Sequence, residues 1–128
     1  MSDVWTGFQT MTAAECRRLL ASCEIGRLAI TAGALPLVLP VQYVLEDDQL
    51  LLRTPGHHEV SDAIDGQVVG FQADRLDPEH GVGWSVSVTG TVHVVHDATA
   101  TTTVLGWFSD GVVLAMDTDV IVGHRVAV

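Results

Sequence analysis

The sequence predicts a mainly β fold, a β-barrel with short helices in which an antiparallel sheet is closed or nearly closed. Three observations lead there. Six or seven apolar stretches recur along the chain, most of them are joined by short turns marked by Gly, Asp or Pro, and few segments carry helical spacing. No repeat, low-complexity linker or composition shift divides the 128 residues, so the expectation is one domain over residues 1–128, long enough to bury a core without disulfide staples.

The first helix is announced by Thr12-Ala13-Ala14-Glu15, a capping box in which the Thr12 hydroxyl accepts from the Glu15 N–H while the Glu15 carboxylate reaches back. It should run to about Ser22, with Cys16, Leu19, Leu20 and Cys23 at three- and four-residue spacing forming one apolar stripe. Gly26 then releases the chain into strands. Residues 27–31, a turn at Ala32-Gly33 and residues 35–45 make the first pair. Pro36 and Pro40 cannot donate to a ladder, which puts them at an edge, a bulge or a strand start. Glu46-Asp47-Asp48 is an acidic hairpin turn, and residues 50–53 return from it as a meander.

After a Pro55-Gly56 turn, residues 57–64 read as a short helix closed by Asp65-Gly66. Residues 67–73 form a strand, residues 74–82 a polar loop around Pro78, and residues 84–95 the longest strand, with Gly90 as a bulge or barrel corner. Asp97 caps a further helix over residues 98–107, whose propensity is lowered by Thr99, Thr101, Thr102 and Thr103. Residues 111–116 and 121–128 close the sheet.

Charge narrows the function classes. Six arginines, no lysine and sixteen acidic residues give a net charge of −10, which disfavours nucleic acid and anionic membrane surfaces. No run approaches the roughly 20 apolar residues of a membrane span, and the first residues lack a secretion signal, so the expected location is cytoplasmic. Cys16 and Cys23 lie about 10 Å apart along a continuous helix, too far for a disulfide, and are read as reduced thiols.

The stretch most suggestive of chemistry is residues 50–60, where an apolar strand enters a Gly-containing turn and then a helix start. Such a junction can aim backbone N–H groups and an arginine at an anion. Arg53 and Thr54 end the strand, and guanidinium and hydroxyl together suit a phosphate. The alternative is that Arg53 pairs with a carboxylate or caps the strand. His57 and His58 diverge by about 100° on a helix, so one can face a pocket while the other faces solvent. His93 and His96 fall on opposite strand faces and make no ligand pair. Asp74, Asp77, Glu79 and His80 share a loop, but their spacing matches no calcium loop, and no metal is expected. The chain has no nucleophile elbow, P-loop, zinc CxxC or GxGxxG, so its chemistry should come from a bound cofactor or substrate.

The succession Cys16-Arg17-Arg18-Leu19-Leu20, Ile25-Gly26-Arg27-Leu28-Ala29, Pro40-Val41-Gln42-Tyr43, Leu52-Arg53-Thr54, Val69-Gly70-Phe71-Gln72-Ala73-Asp74, Gly83 to Gly90 and Val122-Gly123-His124-Arg125-Val126 resembles the small pyridoxamine 5′-phosphate oxidase-like proteins. Those are FMN-binding split barrels, and the resemblance covers about residues 11–128. It implies a flavin-dependent oxidoreductase of small organic substrates and a homodimer with two FMN sites between the subunits. The turn from Arg53 to Glu59, with His57 and His58, would hold the phosphate, and Trp84 and Ser85 fall where the long strand approaches the flavin. The family's phosphate-contacting lysine position reads Glu59 here. A carboxylate about 4 Å from a phosphate costs on the order of 4 kcal/mol at an effective dielectric of 20, roughly a thousandfold in affinity. Two further readings therefore stand beside the first: a split barrel that has lost FMN and serves another ligand or a non-redox role, and a deazaflavin or haem binder.

Overall fold

The structure, a computed structural model, describes residues 8–54, 58–96 and 112–127, the side chains of residues 58, 59 and 127 excepted. Among these residues are β1 (Phe8–Thr10), α1 (Ala13–Leu20), β2 (Ile25–Ala32), β3 (Leu35–Glu46), β4 (Gln49–Arg53), α2 (His58–Ile64), β5 (Val68–Asp77), β6 (Val82–Val94), β7 (Val113–Asp117) and β8 (Val120–Ala127). The strands form one sheet in the order β1-β8-β6-β5-β2-β3-β4-β7, closed by a second pairing of β7 with β6. All the ladders are antiparallel.

Closure depends on β6 dividing one edge between two partners. Residues 82–89 pair with β8, and residues 92–94 pair with β7. Gly90 stands between the two ladders, where a Cβ would run into the backbone carbonyl of Asp117. A backbone obstacle cannot rotate away, so the corner expected at Gly90 is the point where the barrel splits.

Alternation fills the interior. Leu28 and Ile30 of β2, Phe71 and Ala73 of β5, and Trp84, Val86 and Val88 of β6 are buried in one core, while their neighbours along each strand face outward. The α1 stripe of Cys16, Leu19 and Leu20 joins that core. Its seat on β8 requires Gly123, since a Cβ there would collide with Cys16 Sγ and crowd Met11 Cε. The capping box is present: Thr12 Oγ1 accepts from the Glu15 N–H at 3.2 Å. The Glu15 carboxylate also accepts from Arg125 at 3.1 Å, and this bond, followed by the Thr12 backbone, holds it below its usual range.

Four expectations need revision or lie beyond reach. The polar loop over residues 74–82 is mostly strand, because β5 continues to Asp77 and pairs Asp74, Arg75, Leu76 and Asp77 with Ser85, Trp84, Gly83 and Val82. The hairpin extends past the core, so its backbone ladder forms without an alternating apolar pattern, and Leu76 and Val82 stay exposed. Strand β1 was missed for a related reason: its three residues are all exposed, and pairing with β8 holds them. Helix α1 stops at Leu20, with Ala21 as its C-cap. The helix expected over residues 98–107 lies outside the described residues.

Tyr43 ties β3 to α1. Its hydroxyl donates to the Leu20 carbonyl at 2.5 Å, and its ring meets Phe71 edge-on at a centroid distance of 4.9 Å. Burial pushes the phenol well above its usual range, and negative charge on Cys23 adds to the shift. The folded protein thus holds this proton more tightly than the unfolded chain, so the stability it confers is present below about pH 10 and lost as pH rises through the folded value. Tyr43→Phe should cost about 1 kcal/mol at neutral pH and flatten the alkaline fall in stability, read from urea midpoints between about pH 7 and 11. An equal alkaline loss in both proteins would show that Tyr43 is not its source.

Candidate functional site

Strand β4 has both edges occupied, by β3 and by β7, and its residues are buried on both sides. Leu50 and Leu52 belong to the core, which puts Leu51 and Arg53 on the opposite face. Arg53 is only 5% exposed, and Thr54, where the strand ends, only 2%. Directly across the β3–β4 ladder from Arg53 lies Gln42.

Arg53 and Thr54 are buried and Gln42 is half-buried with its Oε1 covered, so polar atoms gather at this end of β4. Burying a guanidinium costs several kcal/mol unless negative charge or hydrogen bonds compensate it. Thr54 Oγ1 and Gln42 Oε1 are buried without a hydrogen-bond partner among the described residues, a state that folded proteins keep rare. The Thr54 backbone N–H donates to the Val112 carbonyl at 3.1 Å, so the backbone is pinned while the hydroxyl stays available. A buried cation, a free hydroxyl and a free amide oxygen suit an oxyanion that carries an adjoining donor group. The donor set therefore fits a phosphate-bearing cofactor.

The structure brings together Arg53 and Thr54 from the sequence-predicted residues and adds Gln42. The signal for Gln42 was an amide flanked by Val41 and Tyr43 in an otherwise apolar strand. His57 lies outside the described residues, as do the side chains of His58 and Glu59, whose backbones open α2. Farther along α2, Ser61 is buried at 1% exposure. Trp84 and Ser85 face opposite sides of β6. Trp84, 7% exposed, packs in the core, whereas Ser85 looks outward and accepts from Gln72 Nε2 at 3.0 Å. Only β7 lies between β4 and the 92–94 end of β6, but Trp84 and Ser85 stand in the 82–89 segment that pairs with β8, so neither residue adjoins Arg53 within one chain.

Of the acidic loop, Asp77, Glu79 and His80 converge so that one ligand atom from each lies within 4.8 Å of the others. Asp74 is drawn away into the β5 ladder. His80 Nδ1 already contacts Asp77 Oδ2 at 2.6 Å on an open surface. Elsewhere, Arg75 Nε donates to Cys23 Sγ at 3.4 Å, and this bond raises the affinity of Arg75 for its proton.

The sequence pattern of the pyridoxamine 5′-phosphate oxidase family matches residues 12–121. The chain belongs to that family. Uncharacterized protein Rv0080 of Mycobacterium tuberculosis is 42% identical over 88 residues, covering 65% of this chain and 58% of the other, so the match spans less than two thirds of that relative's length. The fold is similar to that of the FAD binding protein from Mycobacterium smegmatis, with a TM-score of 0.73, 26% identity, and coverage of 94% of this chain and 99% of that one. A FAD-binding protein from Mesorhizobium loti shares the fold at a TM-score of 0.78 and 20% identity, covering 94% and 98% of the two chains. The closed sheet is the split barrel that this family membership implies.

Thr54→Val tests the cluster without any ligand. Valine matches the shape of threonine and removes a hydroxyl that bonds to nothing described, so the free protein should unfold at the same urea concentration or a higher one, a gain of up to about 1 kcal/mol. A loss of about 2 kcal/mol or more would mean that the hydroxyl has an internal structural partner.

Proposed function

We propose that the protein is a flavin-dependent oxidoreductase of a small organic substrate, with FMN held through its phosphate at Arg53 and Thr54. The observation that carries this reading is the buried Arg53 beside the unpartnered Thr54 hydroxyl and Gln42 amide oxygen. Family membership and the two FAD-binding proteins of like fold support a flavin. When bound, the flavin supplies hydride or electron transfer. The Arg53 fork neutralises the phosphate, the Thr54 hydroxyl donates to one of its oxygens, and the Gln42 carbonyl accepts from a hydroxyl or ring N–H. Burial keeps water from weakening these bonds.

The absorbance spectrum of purified protein should show flavin maxima. Arg53→Ala should weaken FMN about 10- to 100-fold, the loss expected from one charge-assisted bond. Glu59→Lys reports on the neighbouring charge: affinity rises strongly where the Glu59 carboxylate faces the phosphate and changes little where it faces solvent. A colourless protein that binds no flavin, with no effect from either substitution, would overturn the reading in favour of the cofactor-free one. A haem Soret band would favour the haem-binding alternative instead.

The proposal includes a homodimer in the cytoplasm. On the β2–β3 hairpin, residues 35–41 of β3 lie outside the ladder to β4, and Leu35 and Val38 are each 65% exposed. Val68, Val120 and Val122 add exposed apolar surface on neighbouring strands. A two-fold partner would cover both the open edge and these side chains. No described helix is long and apolar enough to cross a membrane. Light scattering should give twice the 13.7 kDa chain mass, and Val38→Asp should shift the protein toward the single-chain mass. A dilute wild type at the single-chain mass would remove the dimer from the proposal.

A further inference from the structure

An anion at the end of β4 finds little positive charge. The chain has six arginines and no lysine, and all six arginines are among the described residues. Arg17 and Arg18 belong to α1, and Arg17 pairs with Asp48. Arg75 and Arg125 flank the core residue Trp84 across its two ladders and bond to Cys23 and Glu15. Arg27 stands on β2, two residues along from Ile25, whose row contains Gln42 and Arg53. With strands about 4.8 Å apart and about 3.3 Å per residue, its Cα is about 12 Å from that of Arg53. Within one chain, Arg53 is therefore the single guanidinium of this site.

Its neighbours supply no second fixed cation. Across the two ladders from Arg53 stand Gln42 and Val113, both uncharged. The titratable groups that follow it are His57, His58, Glu59 and Asp62, and the side chains of the first three lie outside the described residues. A phosphate monoester, however, carries two negative charges once its second proton has left, near pH 6. One buried arginine balances one of them, and the other stays uncompensated where the dielectric is low. Gln42 Oε1 sharpens the conflict. It is a covered acceptor with no hydrogen-bond partner, and an oxygen with only lone pairs cannot serve it.

Both difficulties vanish when the phosphate keeps its second proton. Its charge falls to one, which Arg53 matches, and its P–OH donates to Gln42 Oε1 while the Thr54 hydroxyl donates to another oxygen. We propose that the site takes the phosphate as a singly charged, protonated monoester, and that Gln42 is the residue that selects this form. This selection rests on the reading of Arg53 and Thr54 as the FMN phosphate anchor. The proton comes from the buffer and goes to a phosphate oxygen, so FMN binding above about pH 6 takes up a proton.

Calorimetry of FMN binding in buffers of different ionisation enthalpy counts that proton, and flavin fluorescence follows affinity between about pH 5.5 and 8. Uptake should approach about one proton per FMN near pH 7.5 and decline below about pH 6, while affinity falls about tenfold per pH unit above about pH 6.5. Riboflavin 5′-sulfate, singly charged throughout, should bind without uptake and within about tenfold of FMN at pH 5.5, having lost one neutral hydrogen bond. Gln42→Lys places a second cation across the ladder from Arg53, so it should abolish uptake and bind FMN more tightly at pH 8 than at pH 5.5. Circular dichroism verifies the fold of this variant, and the sulfate ester decides alone where it does not fold. FMN bound without uptake at pH 7.5, or uptake that persists in folded Gln42→Lys, overturns the proposal and leaves the anchor reading in place. Equal uptake with the sulfate ester assigns the proton to the protein and overturns it too, as does a sulfate ester that fails to bind. No FMN binding at any pH, with Arg53→Ala the same as wild type, overturns the anchor reading and the protonated phosphate together.

Discussion

The close approach of the Asp117 carbonyl to Gly90 is the constraint on which the rest of the structure depends. It allows β6 to leave β8 and accept β7, and β7 in turn gives β4 its second neighbour. Without that transfer β4 would be an edge strand with one row of its backbone groups in water. A side chain such as Arg53 could not be held at 5% exposure on so open an element. The polar cluster therefore stands on a backbone decision made far from it in sequence.

The same closure explains the division of labour between the two faces of the sheet. The interior holds the side chains of Leu28, Phe71, Val86, Val88 and Leu114 with essentially no solvent access. Its wall gains further rigidity from Tyr43, which joins strand to helix and touches Phe71 at once. Apart from the Tyr43 hydroxyl, the core cluster is apolar, and Arg53, Gln42, Arg27 and Gln72 share the outward face of the sheet. An outward position that is nonetheless buried, such as that of Arg53, combines low dielectric with an approach that does not cross the core. Ion pairing is stronger there than at an open surface.

What the sequence disclosed and what it concealed follow from burial. Thr12 and Glu15 revealed α1 because capping is a contact between near neighbours. Leu28 and Ile30, like Phe71 and Ala73, revealed their strands because one face of each meets the core. Asp74 to Asp77 and Phe8 to Thr10 concealed theirs, since only distant backbone partners make them strands and no alternating burial marks them. The cluster was half legible. Arg53 and Thr54 stood out at a strand end, but the contribution of Gln42 depends on the β3–β4 register, and the outward turn of Ser85 away from Trp84 followed only once β6 was fixed as a strand.

The point at which the chain leaves the barrel has an evolutionary consequence. Arg53 is the last residue of β4 in either ladder, and Thr54 is tied to the frame through Val112. The residues of α2, His58–Ile64, take part in no strand pairing, so a charge reversal at the start of that helix leaves the strand register untouched. A lineage built on this frame can therefore vary the charge at that helix start and explore new ligands while the scaffold is inherited unchanged.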